Sequence, residues 1–448
     1  MRTLSRLAVL ALVALALPAT ASAADPWSLP APIRAQTTTP PLPGAPGLAA
    51  NAHGMAIAVA ATGASVFADG AFSDPARLAP AGVAMGPGDG RVLPYGQTRI
   101  IGAGIRAAGS SSQAVVAFGR IAPSGASLDS PRGLGPSTMH AARATMAVNA
   151  KGDAAIVYPV CRDAACTKVL VYLATRAAGT STFRSTRLAD GSGPLPQVTA
   201  AINARGDAMA VWTQASTLYA RIRTAGGTVR PRQLVGPAIR GPHLAPSAVL
   251  SLHRGQLVGW LAQAVSEGDG SAGTARVAQA RDGGTFTTIA LGTVPALGAG
   301  AYVSEAGVRV GYGSQGRAVV AWTGYEGGHF LVRQAGIRGA ANNPSQSLTG
   351  VATLSQAGTD TVLSDLVVDP SGPTYALMLA GVRGNDPATP GGAVSVRASG
   401  GEEVAPAAAG AAQPFGVAAT LLSDGRVLAA WTTVGQGDLW SVRASPTR

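Results

Sequence analysis

Lysine is almost missing from this chain: Lys151 and Lys168 are the two copies among 34 basic residues, the other 32 being arginine. Cysteine is as rare, with Cys161 and Cys166 alone, and glutamate occurs five times. Charged residues make up 12% of the sequence and aromatic residues 5%. Each shortage excludes something. Two cysteines are too few for a zinc cluster, and their spacing is not the Cys-x-x-Cys of a redox site. The arginines are scattered, the densest group being Arg221, Arg223, Arg230 and Arg232, so the net charge of +12 gives no focused track for nucleic acid. Low charge with 59 glycines and 31 prolines argues against long helices. Past residue 23, no apolar run reaches membrane-spanning length without Gly, Pro or a charge. Nearly half of the residues are apolar, which excludes a disordered chain.

What the chain has is a repeat. Asn149-Ala150-Lys151-Gly152-Asp153-Ala154-Ala155-Ile156-Val157-Tyr158 returns as Asn203-Ala204-Arg205-Gly206-Asp207-Ala208-Met209-Ala210-Val211-Trp212. Weaker copies surround Gly54, Gly255, Gly316, Gly372 and Gly425. The interval between Gly54 and Gly152 is nearly double the others, which predicts a hidden copy, at Gly88-Asp89-Gly90-Arg91-Val92 or at Ser110-Ser111-Ser112. Asn and Gly accept the positive φ of tight turns. Each turn stands between runs of alternating larger side chains, and further short strands follow. Four short strands in a unit of about 50 residues is the pattern of a β-propeller blade. The fold class expected is therefore all-β, a propeller of four-stranded antiparallel blades over residues 24–448, with eight blades, or seven as the alternative. The last unit lacks a fourth strand. The segment Trp27-Ser28-Leu29-Pro30-Ala31-Pro32-Ile33 resembles the missing one, so an N-terminal strand is expected to close the ring. Six residues past the turn glycine stands an aromatic: Tyr158, Trp212, Trp322 and Trp431, with Trp260 one position early. These rings are expected to seal one blade against the next.

Residues 1–23 read as a secretory signal peptide. Arg2 and Arg6 precede an apolar stretch at 7–17, and Ala21-Ser22-Ala23 suits cleavage. The protein is accordingly expected to be secreted, and Cys161 and Cys166 to form a disulfide clipping one loop. Asp153, Asp207 and Asp424 stand beside turn glycines; their periodicity marks them as turn formers, because chemistry needs an unsymmetrical cluster.

Candidate ligand residues lie on loops between second and third strands. Gly324-Tyr325-Glu326-Gly327-Gly328-His329 is the richest, offering Tyr325, Glu326 and His329. Glu267 and Asp269 form an acidic loop without the ligand spacing of a calcium hand. No nucleophile elbow, His-Glu-x-x-His or phosphate loop occurs.

Ser423, Gly425 and Trp431, like Asn203, Gly206, Asp207 and Trp212, resemble the turns of secreted bacterial propellers of the sialidase-like or Asp-box-like type, without the Asp-box spacing. The resemblance implies the propeller fold. It does not carry over catalysis, because no arginine triad can be placed on this sequence. The function expected is a monomeric, non-catalytic binding or scaffold module without cofactor or metal, engaging a cell-envelope glycan or an extracellular protein. The alternative is a glycosidase, sialidase-like or lactonase, with its site at the central channel mouth.

Overall fold

A computed structural model of the chain describes residues 31–37, 46–60, 63–79, 82–85, 90–137, 139–193, 195–215, 217–237, 246–253, 256–266, 273–294, 307–313, 318–338, 347–355, 358–369, 374–380, 393–398, 403–407, 413–434 and 440–446. Every regular element among them is a β-strand. The repeat turns show why. Asn203 Oδ1 accepts the backbone N–H of Arg205 and of Asp207, and Asn149 Oδ1 does the same for Lys151, Gly152 and Asp153. The side chain thus reinforces the turn's own backbone hydrogen bonds, Gly152 N–H to the Asn149 carbonyl and Gly206 N–H to that of Asn203, and reverses the chain. Gly152 completes the turn at φ 96°, where a side chain would also strike the ring of Tyr95.

Each turn joins the first two strands of an antiparallel group. Gly47–Ala50, Ala56–Ala60, Gly63–Ala68 and Ala71–Phe72 form one. Arg91–Tyr95, Arg99–Ala108, Ser111–Ala122 and Gly125–Leu128 follow, then Thr145–Val148, Ala154–Cys161, Val169–Arg176 and Arg184–Gly191. The short strand His140–Ala141 pairs with both of these groups and fuses them into one hydrogen-bonded sheet. The next groups begin at Val198–Ile202, Ser247–His253, Val308–Tyr312 and Thr361–Val368, each with its strands ordered as in the sequence. The last contains Gln413–Leu421, Val427–Val434 and Trp440–Pro446, and its fourth strand is Ala31–Thr37. Ala31 lies opposite Ala444, and Thr37 opposite Trp440. The signal-peptide reading and Trp27 lie outside the described residues.

The hidden copy is present, but at neither expected place. Its turn is residues 96–98, between Arg91–Tyr95 and Arg99–Ala108. Arg91 and Val92 belong to the strand before that turn, and Ser111 and Ser112 open the third strand of the group. The turn lacks the Asn-x-x-Gly-Asp side chains, so it left no motif to find.

First strands of successive groups lie side by side. Gly47–Ala50 contacts Arg91–Tyr95, which contacts Thr145–Val148. The succession continues through Val198–Ile202, Ser247–His253, Val308–Tyr312, Thr361–Val368 and Gln413–Leu421, and Gln413–Leu421 in turn contacts Gly47–Ala50. The arrangement is propeller-like. Hydroxyl side chains bridge the first strands where no ladder exists. Thr420 Oγ1 accepts from Ala50 N–H, Ser247 Oγ from Val310 N–H, and Ser364 Oγ from Val417 N–H while donating to the Val417 carbonyl. These bonds satisfy backbone groups that apolar side chains would leave bare.

The second strands are apolar on both faces because a sheet packs on each. All eight residues of Ala154–Cys161 are buried. The repeated aromatics are sealed in: Tyr158, Trp212 and Trp431 are 0% exposed and Trp322 is 1% exposed. Trp212 packs among Val157, Val171, Leu173 and Leu188 of the preceding group, and Trp322 among Val258, Ala262, Val277 and Leu291. In the group beginning at Ser247–His253 the pattern slips by one residue. Leu257 and Leu261 join the core shared with the preceding group, and Val258 joins the core shared with the next. Leu261 therefore stands where Trp212 stands in its own group; the Trp260 side chain lies outside the described residues.

Candidate functional site

The loop singled out in the sequence is a tight hairpin. Glu326 ends one strand and His329 begins the next, with Gly327 and Gly328 between them at φ 60° and 88°. Two successive positive φ values make this the turn type that matches strand twist. Glu326 and His329 are direct ladder partners, so they share one face. Glu326 takes a hydrogen bond from the guanidinium of Arg333. Tyr325 projects from the other face, half exposed, with its ring 5.3 Å from that of Phe330. Tyr325 and Glu326 are therefore held apart, with no shared reacting position. His329 Nδ1 lies 3.3 Å from Asp360 Oδ1, and the same oxygen accepts the Phe330 N–H. The tip thus gathers a phenol, a carboxylate and an imidazole on a rigid two-glycine turn. Glu267, Asp269 and Gly316 lie outside the described residues.

The periodic aspartates do structural work. Asp153 Oδ1 accepts the Ala178 N–H, and Asp207 Oδ1 accepts the Ala225 N–H, each from the turn between the third and fourth strands of its own group. Asp207 Oδ2 also accepts from Asn203 and Arg205. Burial pushes the Asp207 carboxyl up, but these donors outweigh it and hold the group below its ordinary range. Turns of neighbouring groups are linked as well: Asn149 Nδ2 donates to the Asn203 carbonyl and Asn51 Nδ2 to that of Gln97. Asp424 differs, holding only its own turn through Arg426.

The cysteines form the disulfide Cys161–Cys166 across the end of a second strand. Asp163 pins the same loop by accepting from the Thr167 N–H and hydroxyl, which holds its carboxyl below the usual range.

Three charged side chains that sequence reasoning passed over stand on first strands. Arg309 and Asp365 occupy equivalent places. Arg309 lies opposite Ala321 and Asp365 opposite Leu377, in each case the fourth residue of the second strand. Arg91 lies opposite Ala103, the fifth residue of its second strand, so it stands one step from the same level. Arg309 Nε approaches Asp365 Oδ1 at 4.0 Å. Asp365 also accepts the Leu366 N–H at 2.8 Å and the Ala419 N–H at 2.9 Å. Burial nevertheless pushes the Asp365 carboxyl up, against the pull of Arg309, of those N–H groups and of Arg91. Arg91 is solvent-accessible yet enclosed by protein. That enclosure lowers its pKa; Asp365 raises it, and Arg309 lowers it further. Arg309 and Asp365 thus meet across two neighbouring groups. The Arg91 guanidinium has no hydrogen-bond or ion-pair partner among the described residues. One signal could have revealed them: a lone charge inside a short apolar run, as in Val308-Arg309-Val310.

No group of three or more His, Cys, Asp or Glu suited to a metal occurs among the described residues, and they contain no helix long and apolar enough to cross a membrane. No protein-family model matches the chain, and no curated protein matches it. Solved structures similar to it include a prolyl endopeptidase, at 13% identity and TM-score 0.40, covering 80% of this chain and 50% of that one. A polysaccharide lyase matches at 9% identity and TM-score 0.40, over 85% of this chain and 93% of the other. An ulvan lyase bound to -[GlcA(1-4)Rha3S]- matches at 9% identity and TM-score 0.43, over 78% and 96%. The chain thus spans about half the length of the prolyl endopeptidase. None of these likenesses transfers a residue or an activity.

Proposed function

We propose that this chain is an exported, non-catalytic, eight-bladed β-propeller that binds a glycan or a protein outside the membrane. The succession of first-strand contacts, returning from Gln413–Leu421 to Gly47–Ala50, supports eight blades in a ring. The pairing of Ala31–Thr37 with Trp440–Pro446 supports closure by the N-terminal segment. First strands then line a central channel, and Arg91, Arg309 and Asp365 face it.

One observation carries the choice of binding over catalysis. The single carboxylate of this cluster among the described residues already accepts two backbone N–H groups and faces Arg309, so it is committed to holding strands together. The charges acting on it are arginines, which do not exchange protons near neutral pH. A hydrolase at the channel mouth needs a paired acid and base, and among the described residues no second carboxylate or imidazole acts on Asp365. The Tyr325–His329 hairpin supports a contact surface at the same end of the blades. First strands run toward the repeat turns and second strands away from them, so the start of a first strand, where Arg91 stands, shares its end with this tip.

The test is a glycan and cell-envelope binding array with the purified protein lacking residues 1–23, run beside a panel of glycosidase, sialidase and lactonase substrates. Saturable binding with no turnover is expected. Turnover abolished by a substitution at Asp365 would overturn the reading.

A further inference from the structure

We infer that a pocket for a small aromatic molecule, a phenol or an indole, lies between the groups beginning at Val198–Ile202 and Ser247–His253. Two neighbouring groups suffice to form it, whatever the closure of the ring. This interface lacks a pair of rings that the preceding one has. Trp212 lies opposite Tyr219 and stacks on it. In the next group Leu261 stands at the equivalent place, and Ala278 lies opposite it. The facing wall shrinks as well. Leu188 and Val235 are each the extra residue of a fourth-strand bulge. Leu188 belongs to the core around Trp212, and Val235 to the core around Leu261. Bulk is thus lost at matching positions: Trp to Leu, Tyr to Ala, and Leu to Val.

The loss leaves space. Beside Trp212 the interface keeps a void of about 10 Å³, room for one water at most. Beside Leu261 a cavity of about 110 Å³ opens, walled by Leu218, Val235, Pro237, Leu261 and Ala278. An engineered apolar cavity of ~150 Å³ binds benzene, so this volume suits a single small ring. Apolar walls give a water few partners. An aromatic occupant fits because the chain's own indole fills the same place one interface earlier. The cavity also reaches the surface, since Pro237 and Thr288 in its lining are exposed. The Thr288 hydroxyl, which reaches the Val235 carbonyl at 3.5 Å, stands at that mouth and can meet a polar ring substituent. Half-buried Arg276 lines the cavity too, and a guanidinium favours an aromatic face over an aliphatic one.

Calorimetric titration of the purified protein with phenol and with indole tests this, with cyclohexanol as the non-aromatic control. Saturable binding of at least one ring is expected, at one site per chain and at least tenfold tighter than cyclohexanol. Leu261→Trp restores the missing indole and should weaken binding at least tenfold. Leu261→Phe fills the space with a smaller ring and should do the same, which keeps the test open if the larger side chain prevents folding. Leu234→Ser removes an exposed leucine beside the pocket and should leave affinity within twofold. No saturable binding of either ring would make the cavity a dry packing defect and overturn the site. So would cyclohexanol binding as tightly as phenol and indole, unweakened binding in a folded Leu261→Trp or Leu261→Phe, or an equal loss in Leu234→Ser.

Discussion

Replacing Trp212 by alanine tests the packing on which the radial arrangement depends. The indole is 0% exposed and packs against the strands of the preceding group. Burying a ring of ~150–250 Å² at ~25 cal/mol/Å² contributes about 4–6 kcal/mol. The ring also stacks on Tyr219, at 5.9 Å between centroids and 23° between planes, which adds roughly 1 kcal/mol. One term opposes these. Trp212 Nε1 is buried without an acceptor among the described residues, and losing that bare donor returns about 1–3 kcal/mol. The net expectation for Trp212→Ala is about 3–5 kcal/mol of lost stability, in line with large-to-small core substitutions. Trp212→Phe keeps most of the buried area and removes the bare N–H, so it should cost less than half as much. Urea denaturation of both variants, compared at a common m-value, gives the measurement. A Trp212→Ala cost below 1 kcal/mol, or equal costs for the two variants, would refute the reasoning.

Other perturbations probe separate features. Tyr158 donates from its hydroxyl to the Leu134 carbonyl and lies 3.2 Å from Ser185 Oγ, and burial pushes its pKa up to about 12. An ultraviolet titration should show one phenol ionising near that value, and Tyr158→Phe should cost roughly 1 kcal/mol. The Asp207 carboxyl is held below its ordinary range, so the stability it supplies is complete above the unfolded-state pKa, near ~3.9. That stability is lost as pH falls through the lower folded value. Asp207→Asn should therefore flatten the acid limb of a stability–pH curve, and an unchanged limb would contradict the assignment. Cys161→Ser should lower stability by about 2 kcal/mol, the entropy of a very short loop. Chemical denaturation of this variant checks it, and a loss near 5 kcal/mol would mean the disulfide holds more than its own loop.

The parts of this fold that repeat were legible, because each copy confirms the others. Gly152, Gly206 and Gly425 all adopt positive φ, and Tyr158, Trp212, Trp322 and Trp431 are all buried. Legibility fails where a unit keeps the strand pairing but changes the side chains. The turn at residues 96–98 reverses the chain without the Asn–Asp pair, so no motif announced it. Tyr325, Glu326 and His329 were found as a polar cluster, but the twin glycines between the strands make it a hairpin tip instead of an open loop. Arg91, Arg309 and Asp365 were invisible for a different reason. They lie far apart in the chain, and what sets Arg309 beside Asp365 is the packing of one sheet against the next, which no local pattern encodes.

The pairing of Ala31–Thr37 with Trp440–Pro446 has a kinetic consequence. The earliest described strand to leave the ribosome must wait, unpaired, for the last one to be made. Intermediate groups can zip up in order through local hairpins, whereas this one closes a loop of nearly the whole chain and carries the largest ordering entropy. Until it docks, Trp440–Pro446 presents a bare ladder edge that a second copy could occupy. Swapped dimers made during refolding at high concentration would be the signature of that delay, and adding a peptide of residues 31–37 in excess would suppress them.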